Sequence, residues 1–384
     1  MPFTDKDGKP RVIEVQKRIN EHKFETVKCK NYNDLLDTRA GNRNYARKNW
    51  QTIETIKDLK NGYISKVIHE IVNIATNKDK FTFIVLENLN IGFKRGRQKI
   101  EKSVYQNLEL ALAKKLNFLV DKNTTLGNLG SVTNAIQLTP PVNNFGDIEG
   151  KKQFGNMLYI KADYTSQTDP ITGWTKTIYI KKGSEKSIKE EIKKHFTNIF
   201  HDGKNYYFEY TDSFNIKWKL YSGLDRYYRK NKEGNWISTK EDTTEMLDKI
   251  FKNVDKSKSI YNQIMNENVK LEKINEHPAW ESLRFAIHLI QQIRNQDNEN
   301  NDFILSPVRD KNGKHFDSRK ARENEPNCGD ANGAFNIARK GIIVSEHIKR
   351  GIKELYIKDD EWRAWLAGKQ IWEEWLDKEY NESK

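Results

Sequence analysis

The sequence predicts an α/β fold in which the parts of one sheet-and-helix domain flank a mixed α+β insertion. Three observations predict it. A near-continuous apolar run at 83–86 (FIVL) reads as a strand covered on both faces. Segments with apolar residues at three- and four-residue steps lie on either side of it. A Gly-to-helix pattern, GDANGAFNIARKG, returns near the end after a long stretch of different character.

Taken in order, GKPRVIEV (8–15) is a turn and a short strand carrying Val12, Ile13 and Val15. A basic, polar stretch at 42–48 leads into WQTIETIKDLKNGYISKVIHEIVNIA. There Ile53, Ile56, Leu59, Ile64, Val67, Ile68, Ile71 and Ile74 mark one long amphipathic helix, or two in succession with Gly62 as the weak point. FTFIVLENLN (81–90) is the buried strand. FKRGR (93–97) leads to a second helix, VYQNLELALAKKLNFLV (104–120). Residues 121–155 are loop-rich, with Gly127, Gly130, Pro140, Pro141 and Gly146. From 157 to 325, short strands (MLYI, TIYI, YYFEY) alternate with polar loops and helices, including SLRFAIHLIQQI (282–293). A helix over 329–350 and a terminal helix with Trp362, Trp365, Trp372 and Trp375 close the chain. No internal repeat is present.

Composition narrows the function. Aromatic residues at 11% exclude a disordered chain. The two cysteines, Cys29 and Cys328, form no CxxC pair, which excludes a zinc ribbon or a disulfide framework and fits a reducing cytoplasm. No apolar stretch of about 18 residues occurs, so no membrane span is expected, and the polar N-terminus lacks the apolar core of a signal peptide. A net charge of +13 together with the aromatics points to a polyanion partner, nucleic acid, over a merely lysine-rich surface.

Two acids stand in informative places. Glu87 closes the apolar run, where a carboxylate leaving a sheet can reach a metal; an ordinary solvated strand-end Glu is the plainer alternative. Asp330 is flanked by Gly329 and opens a helix, either as a metal ligand or as an N-cap. Asn332 and Gly333 beside it are small enough to let another group approach. Paired acids of this kind serve metal-dependent phosphodiester hydrolysis, one ion activating water and one stabilising the leaving oxygen.

The segment IVLENLNIGFKRGR followed by KSVYQNLELALAKKLNFLV resembles the second RuvC motif of the type V, subtype A CRISPR effector nucleases, and DANGAFNIARKG resembles their third. YTSQTDPITGW (164–174), QQIRNQ (291–296), DFILSPVRD (302–310) and FDSR (316–319) match the same family in order, so the likeness covers nearly the whole chain. The resemblance implies an RNase H-like RuvC core over 1–160 and 329–384, interrupted by a Nuc domain over 161–328. It implies Glu87 and Asp330 as ligands of magnesium in a two-metal site. Arg294 matches the Nuc-domain arginine needed for cutting the target strand; its fork of donors suits a phosphate oxygen, a helix-end cation being the alternative. Asp302 matches a nearby acid of the same domain. Trp50 would anchor the bridge helix in a neighbouring domain, or be a local core aromatic. Lys94, Arg95 and Arg97 would steer DNA towards the metals, or form a solvated face. The partners implied are target DNA and a guide RNA, for a monomer in a prokaryotic cytoplasm.

The family's first motif carries an aspartate on the first strand, and nothing here matches it. TDKDGKPRVIEV resembles the turn and strand that follow it, and Asp5 and Asp7 read as hairpin residues. The core is therefore expected to be incomplete at its first strand, with the edge of 81–86 exposed and the polypeptide alone inactive or nearly so. A fragment, a split gene product and a decayed copy all fit this pattern. Two competing readings remain: a catalytically dead nucleic-acid-binding fragment, and a transposon-encoded RuvC relative. Such relatives usually carry a CxxC element that is missing here.

Overall fold

The computed structural model describes residues 50–76, 82–88, 99–232, 235–274, 277–299 and 301–381. They fall into two compact units, one within 1–163 and 337–357, the other within 164–336 and 358–384.

In the first unit, α1 (Trp50–Ala75) is one helix. Its apolar stripe buries Ile64, Val67, Ile68, Val72 and Ala75. It runs unbroken through Gly62, whose Cβ would face open space, so that glycine costs roughly 1 kcal/mol of propensity and interrupts nothing. Strand β1 (Ile84–Glu87) precedes α2 (Lys99–Asn117), which packs on α1 and buries Leu112, Ala113 and Leu116 completely. Strands β2 (Gln153–Phe154) and β3 (Met157–Ile160) complete a three-stranded sheet in the order β1-β3-β2. β1 and β3 are parallel, with Ile84 opposite Met157 and Glu87 opposite Ile160.

Successive side chains point to opposite faces of this sheet, and both faces are covered, as expected for 83–86. Ile84, Met157 and Tyr159 join the α1–α2 cluster, while Phe83, Leu158 and Ile160 pack with Ile337 and Val344. The strand is shifted one residue from the apolar run, Ile84–Glu87 against 83–86, and among the described residues its only ladder partner is β3. Apart from β2, the segment 121–155 is turns, isolated bridges and one short 3₁₀ turn, as its glycines and prolines suggested.

The second unit holds the larger core. Helix α3 (Glu185–His195) leads to an antiparallel sheet of β4 (Asn198–His201), β5 (Tyr206–Thr211) and β6 (Lys217–Tyr221). The hairpin β7 (Asp225–Lys232) and β8 (Asn235–Asp242) follows, then α4 (Thr243–Ile250), α5 (Ile260–Met265) and α6 (Ala279–Ile290). Ser184, Asp242 and Ser259 cap α3, α4 and α5, each accepting a first-turn amide. A second sheet has the order β11-β10-β9, from β9 (Arg294–Gln296), β10 (Asp302–Arg309) and β11 (His315–Asp317). TIYI (177–180) forms no strand: Ile178 is buried and Tyr179 exposed, as alternation requires, but no ladder partner pairs with them.

Helix α7 (Gly329–Arg350) carries residues of both units. The tryptophan-rich end is two helices rather than one, α8 (Asp359–Ala367) and α9 (Lys369–Leu376), divided at Gly368 with φ 142°. Trp362 and Trp365 stack at 5.5 Å. No helix among the described residues is long and apolar enough to cross a membrane.

Candidate active site

The second unit brings three predicted residues together. β9 and β10 run antiparallel with Asp302 opposite Gln296 and Ile304 opposite Arg294. From this pair the Arg294 guanidinium meets the Asp302 carboxylate bidentately, Nε to Oδ1 and Nη2 to Oδ2, both at 2.8 Å. The same Nη2 also donates to Asp330 Oδ1 at 2.9 Å. Arg294 is thus no helix-end cation; α6 stops at Ile290. Burial alone would lower the Arg294 pKa, but the hydrogen bonds and charges of Asp302 and Asp330 outweigh it and hold it above its ordinary value. Nη1 remains to meet a further acceptor.

Asp330 lies in the first turn of α7 rather than at its N-cap, with a side chain 77% exposed. The α7 start is closed instead by Cys328, whose Sγ accepts from the Ala331 amide at 3.4 Å and whose carbonyl accepts from the Asn332 amide. Gly329 is required where it stands. A Cβ there would lie 2.3 Å from Asp302 Oδ2 and 2.6 Å from Arg294 Nε. Only a residue without a side chain lets the helix start pass the ion pair this closely.

Several contributors were not legible in the sequence. Asn332 does not merely make room: it is fully buried and donates to the carbonyls of Thr168 and Ser166. One turn on, Asn336 donates to Thr165 O at 2.9 Å. The two side chains pin the loop YTSQTDPITGW to α7. That loop is itself set by buried Asp169, whose Oδ1 accepts from the Ile171 and Thr172 amides, and by Trp174 donating to Tyr210 Oη. Arg226, fully buried on β7, donates through Nη1 to the carbonyls of Gln292 and Leu305, both at 2.7 Å. Those carbonyls belong to the segments carrying Arg294 and Asp302, so Arg226 braces the ion pair from behind. It has no carboxylate partner, and burial pulls its pKa down to about 9.

Glu87 ends β1 in the first unit, half-buried, and its carbonyl accepts from Tyr105 Oη at 2.7 Å. An unforeseen acid stands in the same unit. Glu109 of α2 is 1% exposed, and among the described residues neither of its carboxyl oxygens has a hydrogen-bond partner. Burial raises its pKa to about 7. Trp50 opens α1, its side chain not among the described ones, and Lys94, Arg95 and Arg97 lie outside the described residues.

Carboxylate oxygens are the donor type that magnesium takes. Yet no group of three or more His, Cys, Asp or Glu able to hold a metal occurs among the described residues. Asp330 Oδ1, moreover, is already engaged by Arg294. The described donors are of the right kind and too few to fill a divalent-ion site.

Compared with known families, residues 10–373 match the model of the RuvC nuclease domain. The mixed α/β architecture, with small sheets covered by helices, is consistent with the RNase H-like fold of that family. Such domains are nucleic-acid endonucleases, hydrolases by reaction, and typically use divalent metals.

Proposed function

The chain belongs to the RuvC nuclease domain family, and from that membership we propose that it is the DNA-cutting part of an RNA-guided effector of the type V, subtype A CRISPR kind. The observation that carries the reading beyond the family is the meeting of Arg294, Asp302 and Asp330 at one point. These residues come from three of the motifs that resemble that effector family. The reaction is phosphodiester hydrolysis: a water oxygen bonds to phosphorus, the bond to one sugar oxygen breaks, and that oxygen takes up a proton. Asp302 fixes the plane of the Arg294 guanidinium, so that Nη1 can hold a non-bridging phosphate oxygen without reorganising. Glu87 and Asp330 are the carboxylates assigned to cation binding, with magnesium as the ion.

Target choice in such effectors comes from guide-RNA pairing; no described residue is assigned to that task here. A monomer in a prokaryotic cytoplasm is the setting proposed. No group of acids able to fill a divalent-ion site occurs among the described residues, so cutting by the chain alone is expected to be slow.

A second reading, binding of nucleic acid without hydrolysis, is favoured by the neutralisation of Asp330 by Arg294 and by the incomplete donor set. Two assays separate them: binding of labelled single-stranded DNA in EDTA, and its cutting in excess magnesium or manganese. The nuclease reading expects binding in EDTA and slow cutting that Glu87→Ala and Asp330→Ala each abolish while binding persists. Binding with no cutting under either ion supports the second reading, and no binding at all overturns both. Rapid turnover would overturn the expected near-inactivity.

A further inference from the structure

Beside the ion pair lies a cleft of about 400 Å³, large enough for one nucleotide and too small for a duplex. Its walls are β7, β8 and β9. We propose that this cleft is a subsite for a single nucleotide of an unpaired DNA strand, next to the phosphate held by Arg294. The proposal rests on the nuclease reading above.

The chemistry of the walls is that of a polynucleotide site. Side chains two residues apart on a strand share a face, so Arg294 and Gln296 emerge together from β9 about 7 Å apart along it. Gln296 Oε1 accepts from Arg229 Nη2 at 2.8 Å, and Ser238 Oγ donates to the Gln296 carbonyl at 2.7 Å. The Arg229 guanidinium is thereby tethered to the residue one such step along β9 from Arg294. That is the spacing over which an extended strand sets consecutive phosphates. Arg229 spends one donor on this tether, and its group has five. Among the described residues lining the cleft, the only acid, Asp302, is bound to Arg294, and Arg229 is the cation that no lining carboxylate offsets.

The aromatic wall is fixed before any ligand arrives. The rings of Tyr227 and Phe303 stand at near right angles with centroids 5.9 Å apart, and those of Tyr228 and Phe285 likewise at 5.3 Å. An aromatic ring held in this way suits stacking by a base, whatever its identity. The floor is rigid as well: buried Asn295 accepts from the Tyr227 amide and from Gln292 Nε2, which also donates to the Tyr227 carbonyl. Two arginines and an aromatic residue lining one cleft suit a strand passing through, not a free base.

The test uses the full chain in EDTA, so that binding is read without cutting. Fluorescein-labelled oligothymidine is titrated by anisotropy at several salt concentrations. Arg229→Ala is expected to raise Kd about five- to tenfold and to flatten the salt slope by about 0.7, the loss of one single-strand phosphate contact. Lys258→Ala, which removes an equally exposed charge away from the cleft, is expected to change neither. Oligonucleotides carrying 5-iododeoxyuridine are expected to photocrosslink to Tyr227 or Tyr228, located by mass spectrometry. Unfolding curves of Arg229→Ala that match the wild type show that the effect is not one of folding; if they do not, Arg229→Gln, which keeps a donor for Gln296 Oε1 without the charge, is read in its place. A wild-type Kd and slope in the arginine variant, or equal losses in the lysine control, overturns the subsite and leaves the nuclease reading intact. Failure of the wild-type chain to bind any strand overturns both.

Discussion

Asp302 and Asp330 bond to the same guanidinium and should not carry the same weight. Asp302 is 23% exposed and grips Arg294 with both oxygens; Asp330 is 77% exposed and offers one. Exposed single contacts are worth little after solvent screening, while a sheltered bidentate pair retains more. Asp302→Asn is therefore expected to lower unfolding stability by about 1–2 kcal/mol, and Asp330→Asn by less than about 0.5 kcal/mol. Urea titration of both variants checks this, and equal losses, or the reverse order, would refute it. The roles divide accordingly: Asp302 positions, and Asp330 is the acid left accessible to incoming ligands. The motifs made the three residues legible as candidates, but not their bonding. Arg294 and Asp302 sit on opposite strands of one ladder, and Asp330 reaches them from a helix 36 residues further on. Sequence spacing gives no register between such elements. Arg226, and the bonding of Asn332, were invisible for the same reason, since their partners are backbone carbonyls distant in sequence.

Among the elements, α7 and β1 approach each other closely in the first unit. A Cβ on Gly341 would lie 2.4 Å from Val85 Cγ2, and Val85 has little room to retreat in a half-buried strand packed on both faces. Gly341→Ala is expected to cost about 1–3 kcal/mol through overpacking, despite alanine's better helix propensity. Val85→Ala in the same chain should recover much of that loss. Additive losses in the double-mutant cycle would show that the two positions do not press on each other. On α2, Glu109 falls on the stripe that also carries Leu112, Ala113 and Leu116, so its helical phase, not its residue type, was the signal that it is buried. Its pKa is raised from an ordinary 4.5 to about 7. The stability it permits is therefore complete below about pH 4.5 and lost as pH rises through about 7. The loss is roughly 3 kcal/mol at most. Glu109→Gln should flatten the fall in thermal stability between pH 5 and 8; an unchanged slope would place the titration elsewhere. Amphipathic helices were the most legible elements, because one stripe defines them without a partner. Strands were less so: 83–86 and TIYI both carry apolar residues, and only the first found a ladder.

For the whole molecule, the charge of +13 is the property that composition alone made readable, and its consequence is quantitative. If the chain holds DNA mainly through phosphates, log Kd against log salt concentration should be linear, with a slope near 0.7 for each phosphate neutralised on a single strand. The described cluster contributes two arginines, Arg229 and Arg294, so at least two contacts and a slope of at least about 1.4 are expected. Lys94, Arg95 and Arg97 would steepen it further, and replacing these three by Ala measures their share as the difference in slope. The same physics predicts indifference to base order: phosphates are alike, and stacking on Tyr227 or Tyr228 tolerates any base. Oligonucleotides of equal length and different sequence should then bind within about threefold of one another. A preference of a hundredfold for one sequence would mean that this chain itself reads bases through hydrogen bonds, each specific pair being worth about 1–3 kcal/mol. The assignment of target choice to a guide RNA would then fail, whatever the fate of the nuclease site.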